Sequence, residues 1–180
     1  MGESLDEKLA RVLAEDVEVV EYDPAWPARF AAESDRLRSL LPPGTILRIE
    51  HFGSTAVPGL AAKPIIDILV SVDEPERVRD EVAPRLEAAG YDFWRPAFGD
   101  DGPRYPWFIA RDDAGRRTAH VHFAPPDDEQ WRRVGFRDDL RRTRTSRRAT
   151  RGSRARAPGA TGTTARHTRP PRRRSSRPTR

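Results

Sequence analysis

Two small residues, one isolated carboxylate and two alternating histidines are the groups in this chain with the types and spacing for phosphate or metal chemistry. Gly53 and Ser54 follow the apolar-ended stretch Arg48–Phe52, Asp67 stands alone among Ile65, Ile66, Ile68, Leu69 and Val70, and His120 and His122 alternate along Arg117–Ala124. A glycine lets backbone approach a ligand closely, and consecutive N–H groups in a turn form a nest for an anion. A buried, unpaired carboxylate is strongly unfavourable. Asp67 is therefore expected at a strand end, facing an ion, a hydrogen-bond donor or a cleft; capping a turn or pairing with an arginine would also satisfy it. Residues two apart on a strand share a face, so His120 and His122 can hold one metal ion. With Asp67 they would make a two-histidine, one-carboxylate set, suited to zinc, iron or manganese. The alternative is a pair of hydrogen-bonded strand histidines.

Other residues near these groups carry charge or protons. Glu50 and His51 flank the glycine-serine turn as candidate acid/base groups or as structural hydrogen-bonding groups, and Thr55 extends the turn. Lys63 would lend positive charge to the loop, and Arg104 or Arg117 could reach a second phosphate or remain solvated.

These residues need a sheet to position them. Thr45–Phe52 and Pro64–Val72 read as partner strands around the turn. Tyr91–Trp94 reads as a short strand, and Tyr105–Arg111 and Arg117–Ala124 as a hairpin closed by Asp112-Asp-Ala-Gly115. Helices are expected over about 4–15, after a capping box at Ser4 to Glu7, and from Asp23-Pro24, with Trp26, Phe30, Leu37, Leu40 and Leu41 on one face. A third, Pro75–Ala89, should be kinked by Pro84, and a fourth begins at Asp127. Pro96–Pro103 is a loop long enough to line a site. Val17 to Tyr22 suggests a further strand.

The chain of 180 residues has room for one domain with a real core. It contains no cysteine, which excludes disulfides and thiolate metal sites. No run approaches the roughly 20 apolar residues of a membrane span, and the acidic start Met1–Lys8 lacks the apolar core of a signal peptide. No membrane partner and a cytoplasmic location are expected.

The stretch Ile49–Ile68, with Gly53-Ser54 leading to Asp67, resembles the signature of the polymerase-beta-type nucleotidyltransferase superfamily. Its longer wording looks like the GrpB-like family within it, which also occurs fused behind dephospho-CoA kinase. The likeness extends upstream through Val20-Glu-Tyr-Asp-Pro-Ala-Trp26 and Phe30. Downstream it takes in Arg117-Thr-Ala-His-Val-His122 and Trp131 through Phe136-Arg-Asp-Asp-Leu-Arg141, covering roughly residues 17–142. It implies an α+β fold, a nucleotidyltransferase-like mixed β-sheet flanked by helices, to which the composition beyond Arg142 adds a disordered C-terminal tail. It also implies a phosphate-facing turn at Gly53 and Ser54, Asp67 as a metal ligand, and a divalent metal, magnesium or manganese first and zinc next. The superfamily's second acid, two residues after the first, is replaced here by Leu69. Two functions follow. One is metal-dependent nucleotidyl transfer on a nucleotide or other phosphate-bearing small molecule. The other is a non-catalytic module that binds a nucleotide or CoA precursor, or serves as a folding accessory like the domain fused to dephospho-CoA kinase.

Charge divides the chain sharply. Residues 1–140 hold all 28 acids and 18 Lys and Arg, whereas residues 141–180 hold 15 Arg and no acid. No Val, Ile, Leu, Met, Phe, Trp or Tyr occurs in 143–180. Such a segment buries too little apolar surface to offset its ordering entropy. The expected organisation is a helical extension over 1–16, a domain over 17–142 and a disordered arginine-rich tail over 143–180. Arg, Pro, Thr, Ala, Gly and Ser are what GC-rich DNA yields in a shifted frame, so the tail is read as a frameshift product. The competing readings are a solvated linker and a polyanion-binding tail, the latter being the route by which the chain would engage nucleic acid.

Overall fold

A computed structural model describes Glu7, Glu15 and residues 18–74, 77–94 and 106–155, with the side chains of 146–155 excepted. The expected helix over 4–15 apart from Glu7 and Glu15, the loop 96–103, Arg104 and the part of the expected tail over 156–180 lie outside the described residues.

The first helix, α1, is Trp26–Leu40. Asp23 begins it one turn early: its Oδ1 accepts from Ala25 N at 2.8 Å and its Oδ2 pairs with Arg29 at 3.1 Å. Trp26 and Leu37 are fully buried. Upstream, the expected strand is reduced to a single antiparallel bridge between Val20 and Ala62.

Five strands form one mixed sheet in the order β1-β2-β5-β4-β3. They are β1 (Arg48–Phe52), β2 (Ile66–Ser71), β3 (Asp92–Trp94), β4 (Trp107–Arg111) and β5 (Arg117–Ala124). Only β2 and β5 run parallel, placing Asp67 opposite His120 and Leu69 opposite His122. β1 pairs antiparallel to β2, with Phe52 opposite Asp67. The β4–β5 turn forms as its sequence dictates. Asp112 Oδ1 accepts from Ala114 N and Arg116 N, at 3.0 and 2.9 Å, and Gly115 takes a positive φ of 77°.

Alternation along the strands gives the sheet two chemically different faces. One face, with Ile66, Ile68, Val70, Val121, Phe123 and Phe108, packs against Trp26 and Leu37 of α1 and against Val78, Val82 and Leu86. The last three come from the segment expected to be one helix over 75–89. Pro84 splits it, as its missing N–H requires. One wide turn spans Val78–Val82, with Ala83 N bonded to Val78 O, and helix α2 follows at Ala83–Ala88.

The other face carries Phe52, Leu69 and Ala124, which pack against Val134 and Trp131. Val134 belongs to the last helix, α3 (Arg132–Ala155), which follows a short turn capped by Asp128. This helix does not stop at Arg142, where the sequence reading ended the domain. Alanine and arginine are good helix formers, and Arg144 of the continuation, like Arg141 before it, bonds to the loop after β1. Among the described residues no helix is long and apolar enough to cross a membrane.

Candidate functional site

The site forms where β1 ends and β2 and β5 run side by side. Gly53 turns the chain with φ 73° and ψ −173°, a conformation essentially confined to glycine, and Ser54–Ala56 follow as one 3-10 turn. The turn folds directly onto β2. A Cβ placed on Gly53 would stand 2.3 Å from Asp67 Oδ2, so the glycine is what lets the carboxylate and the bend occupy the same place. Asp67 is half-buried at the second position of β2, at the strand end the sequence required.

The parallel register brings the histidines to this carboxylate. His120 Nδ1 lies 3.3 Å from Asp67 Oδ1. One ligand atom each from Asp67, His120 and His122 fall within 4.8 Å of one another. His120 Nε2 is buried and has no hydrogen-bond partner among the described residues, which is the condition of an imidazole nitrogen set up to receive a ligand. Burial, first, and then the charges of His120 and Arg133 push the His122 imidazole down to about 4 against the opposing pull of Asp67. His122 is thus neutral at physiological pH, the form that binds metals. Its ring lies parallel to that of Trp107, centroids 5.6 Å apart, and Trp107 stands in turn 5.7 Å from Trp94.

These groups line a cavity of about 660 Å³ between the sheet and α3. Gly53, Ser54, Asp67, His120 and His122 are part of its lining. Arg133, Phe136, Arg137 and Leu140 supply the helical wall, and Phe52, Leu60 and Trp107 complete it. None of Arg133, Phe136 or Trp107 stood out as a site residue from sequence: Arg133 and Phe136 come from a helix that reaches the site only by docking across the sheet, and Trp107 comes from β4, whose register sets it opposite His122.

Other sequence candidates are placed elsewhere. His51 points to the opposite face, where its ring stacks on Phe30 at 4.9 Å and its Nε2 lies 3.1 Å from Thr55 Oγ1. Burial, and then the charge of Arg141, push it down to about 4. Thr55 is buried, and its hydroxyl donates to Ile65 O at 3.3 Å. Glu50 is on the same sheet face as Phe52 but is held by Arg137 at 2.7 Å and Arg48 at 2.9 Å. Burial opposes its ionisation, yet the bonds from Arg137 and Arg48 prevail and hold its carboxyl below the usual range. Lys63 is exposed and does not line the cavity. Arg117 is engaged by Glu15, which also pairs with Arg111.

Arginines of α3 fasten the loop that carries the turn. Arg137 Nη1 donates to His51 O at 2.5 Å, Arg141 Nε to Ala56 O at 2.8 Å and Arg144 Nε to Pro58 O at 3.3 Å. The spacing of three and four residues puts these guanidinium groups on one side of the helix.

Comparison with known proteins places the chain among relatives. A UPF0157 protein of Pseudomonas aeruginosa is 47% identical over 130 residues, covering 69% of this chain and 50% of that protein. The chain spans between about a third and two thirds of the length of the first curated relatives it matches, at 50%, 64% and 35%. A dephospho-CoA kinase of Mycolicibacterium paratuberculosis is 42% identical over 78 residues, covering 42% of this chain and 19% of the kinase. The crystal structure of the conserved protein GrpB from Enterococcus faecalis superimposes with a TM-score of 0.61 at 38% identity, covering 71% of this chain and 74% of that one. The model of the GrpB protein family matches residues 16–158, continuing past Arg142, and the chain belongs to the GrpB family.

Proposed function

We propose that this protein is a metal-dependent phosphate-ester enzyme of the nucleotidyltransferase type. The observation that carries the reading is the meeting of Asp67 with the Gly53 bend and with His120 and His122 in the lining of an open cavity. Three donors of this chemistry suit a divalent ion, and the unpartnered His120 Nε2 fits one. Two imidazoles with a single carboxylate favour manganese or zinc over magnesium, which takes oxygen ligands and keeps its water. When bound, the ion would neutralise charge that builds on phosphorus.

The chain's own groups do the rest. Backbone N–H groups of the Gly53–Ser54 bend and the Ser54 hydroxyl orient a phosphate at the end of β1. An acceptor oxygen attacks the α-phosphorus of a nucleoside triphosphate, the bond to the bridging oxygen breaks, and pyrophosphate leaves with its electron pair. The acceptor proton passes to solvent through the open cavity, since Glu50 and His51 are committed to structural bonds.

Leu69 favours a second reading. It occupies the position of the superfamily's second acid and is 1% exposed, packed with Phe52 and Val134. With no acid there, the same cavity would serve a non-catalytic module that binds a nucleotide or CoA precursor, in keeping with partial likeness to a dephospho-CoA kinase.

Pyrophosphate release from nucleoside triphosphates, measured with Mn²⁺ and with Zn²⁺, separates the two. Metal-dependent release that Asp67→Ala abolishes supports the enzyme. Binding by calorimetry without release supports the module. Neither binding nor release overturns both.

A further inference from the structure

The metal donors and the glycine-serine bend account for only one part of the cavity wall. The remainder is apolar apart from two arginines: Phe52, Leu60, Trp107, Phe136 and Leu140 stand around it with Arg133 and Arg137. Arg137 is committed to Glu50, Asp138 and His51 O. Arg133 is exposed and forms no ion pair among the described residues. Its guanidinium lies 5.9 Å from the centroid of the Phe52 ring.

Phe136 is 65% exposed, while its helix neighbours Val134 and Arg137 are buried at 6% and 7%. A single exposed apolar residue needs no explanation. Here, however, the exposed ring belongs to a group of apolar side chains around one concavity. That cavity, about 660 Å³, is of the size that encloses a small organic molecule rather than a bare anion.

We propose that the ligand is a phosphate ester whose ester group is flat and apolar, with Arg133, over the Phe52 ring, as the phosphate-binding cation and Phe136, Leu140 and Leu60 as the surface that receives the apolar group. The inference rests on the phosphate reading above and adds what the rest of the molecule must be. Trp107 is held between Trp94 and His122 and so serves as a fixed wall. Phe136, which projects from the exposed side of a helix, sets the preference for a planar group. Fully burying a side chain of phenyl size against apolar surface corresponds to roughly ten-fold or more in affinity.

The test compares inorganic phosphate, phenyl phosphate and phenol by calorimetry on the full chain in the presence of Mn²⁺. Phenyl phosphate should bind at least tenfold more tightly than inorganic phosphate. Phe136→Ala should remove most of that preference and leave inorganic phosphate unchanged, and Arg133→Gln should weaken both phosphates by a similar factor. Equal affinities for the two phosphates, or a preference that survives Phe136→Ala, would overturn the inference and leave the metal–phosphate reading standing. If phenol bound as well as phenyl phosphate, with or without Mn²⁺, the phosphate would contribute nothing and both readings would fall.

Discussion

Gly53 and Asp67 lie so close that a single added carbon on the glycine would come within 2.3 Å of the carboxylate oxygen. The backbone at Gly53 also takes a conformation that only glycine adopts readily. Gly53→Ala therefore meets two separate costs, backbone strain of about 1–3 kcal/mol and a clash with the carboxylate. Removing the Asp67 carboxylate relieves only the second. In a double-mutant cycle measured by urea unfolding, Gly53→Ala should destabilise less in the Asp67→Ala background than in the wild type. Additive effects would show that the two residues do not share the space.

Trp107 should report on metal at the neighbouring histidines. Its ring centroid is 5.6 Å from that of His122 and 5.4 Å from that of His120. Adding Co²⁺ or Ni²⁺, which quench indole emission at short range, should lower tryptophan fluorescence saturably. Trp107→Phe should abolish most of the change, although Trp26, Trp94 and Trp131 remain. Undiminished quenching in Trp107→Phe would place the ion elsewhere.

Arg137 ties three parts of the molecule together: α3, the Glu50 carboxylate and the backbone of His51. It is 7% exposed. Arg137→Ala leaves Glu50 with Arg48 as its partner and takes away the donor to the His51 carbonyl. A loss of about 2–4 kcal/mol is expected. Arg137→Lys should recover only part of it, because an ammonium that reaches Glu50 and the His51 carbonyl cannot also keep the Nε and Nη2 bonds to Asp138. Full recovery by lysine in thermal melts would show that charge alone suffices.

Stability should fall as the medium is acidified below neutrality, before the carboxylates titrate. His51 has an ordinary value of 6.5 and is pushed down to about 4 in the fold, mainly by burial. The unfolded chain takes up this proton first, so the contribution is complete above pH 6.5 and is lost as pH falls toward 4. By pH 5.5 the loss from His51 is about 1 kcal/mol. With a chelator present, His51→Gln should flatten the decline in unfolding free energy between pH 7.5 and 5.5, and the remaining slope should include His122, which is displaced the same way. Parallel slopes for variant and wild type would refute the assignment.

The positions most readable from sequence are those fixed by chemistry local to them. The isolated acid in an apolar strand had to find a polar outlet, and Asp67 faces a cavity. Alternation put His120 and His122 on one face, and the parallel register with β2 brought that face to Asp67. The same alternation also separates His51 from Glu50 and Phe52, a signal that proximity to the turn obscured. His51 and Thr55 bond to each other away from the cavity. Arg133 and Phe136 were not legible as site residues, since which helix face closes a cavity depends on long-range docking, and Trp107 was not, since its place opposite His122 depends on the β4–β5 register. The start of α3 was legible near Asp127, but its end was not. Lack of apolar residues after Arg142 removes a packing force, but Arg141 and Arg144 replace it with bonds to the carbonyls of Ala56 and Pro58.

The most direct measurement is the binding of Mn²⁺ and Zn²⁺ to metal-free protein by titration calorimetry, with Asp67→Ala and His120→Ala alongside the wild type. One ion should bind per chain, and each substitution should weaken binding by at least tenfold while the thermal melt in chelator stays cooperative. Binding that is absent from the wild type, or that persists unchanged in both variants, would contradict the assignment of Asp67, His120 and His122 as a metal site.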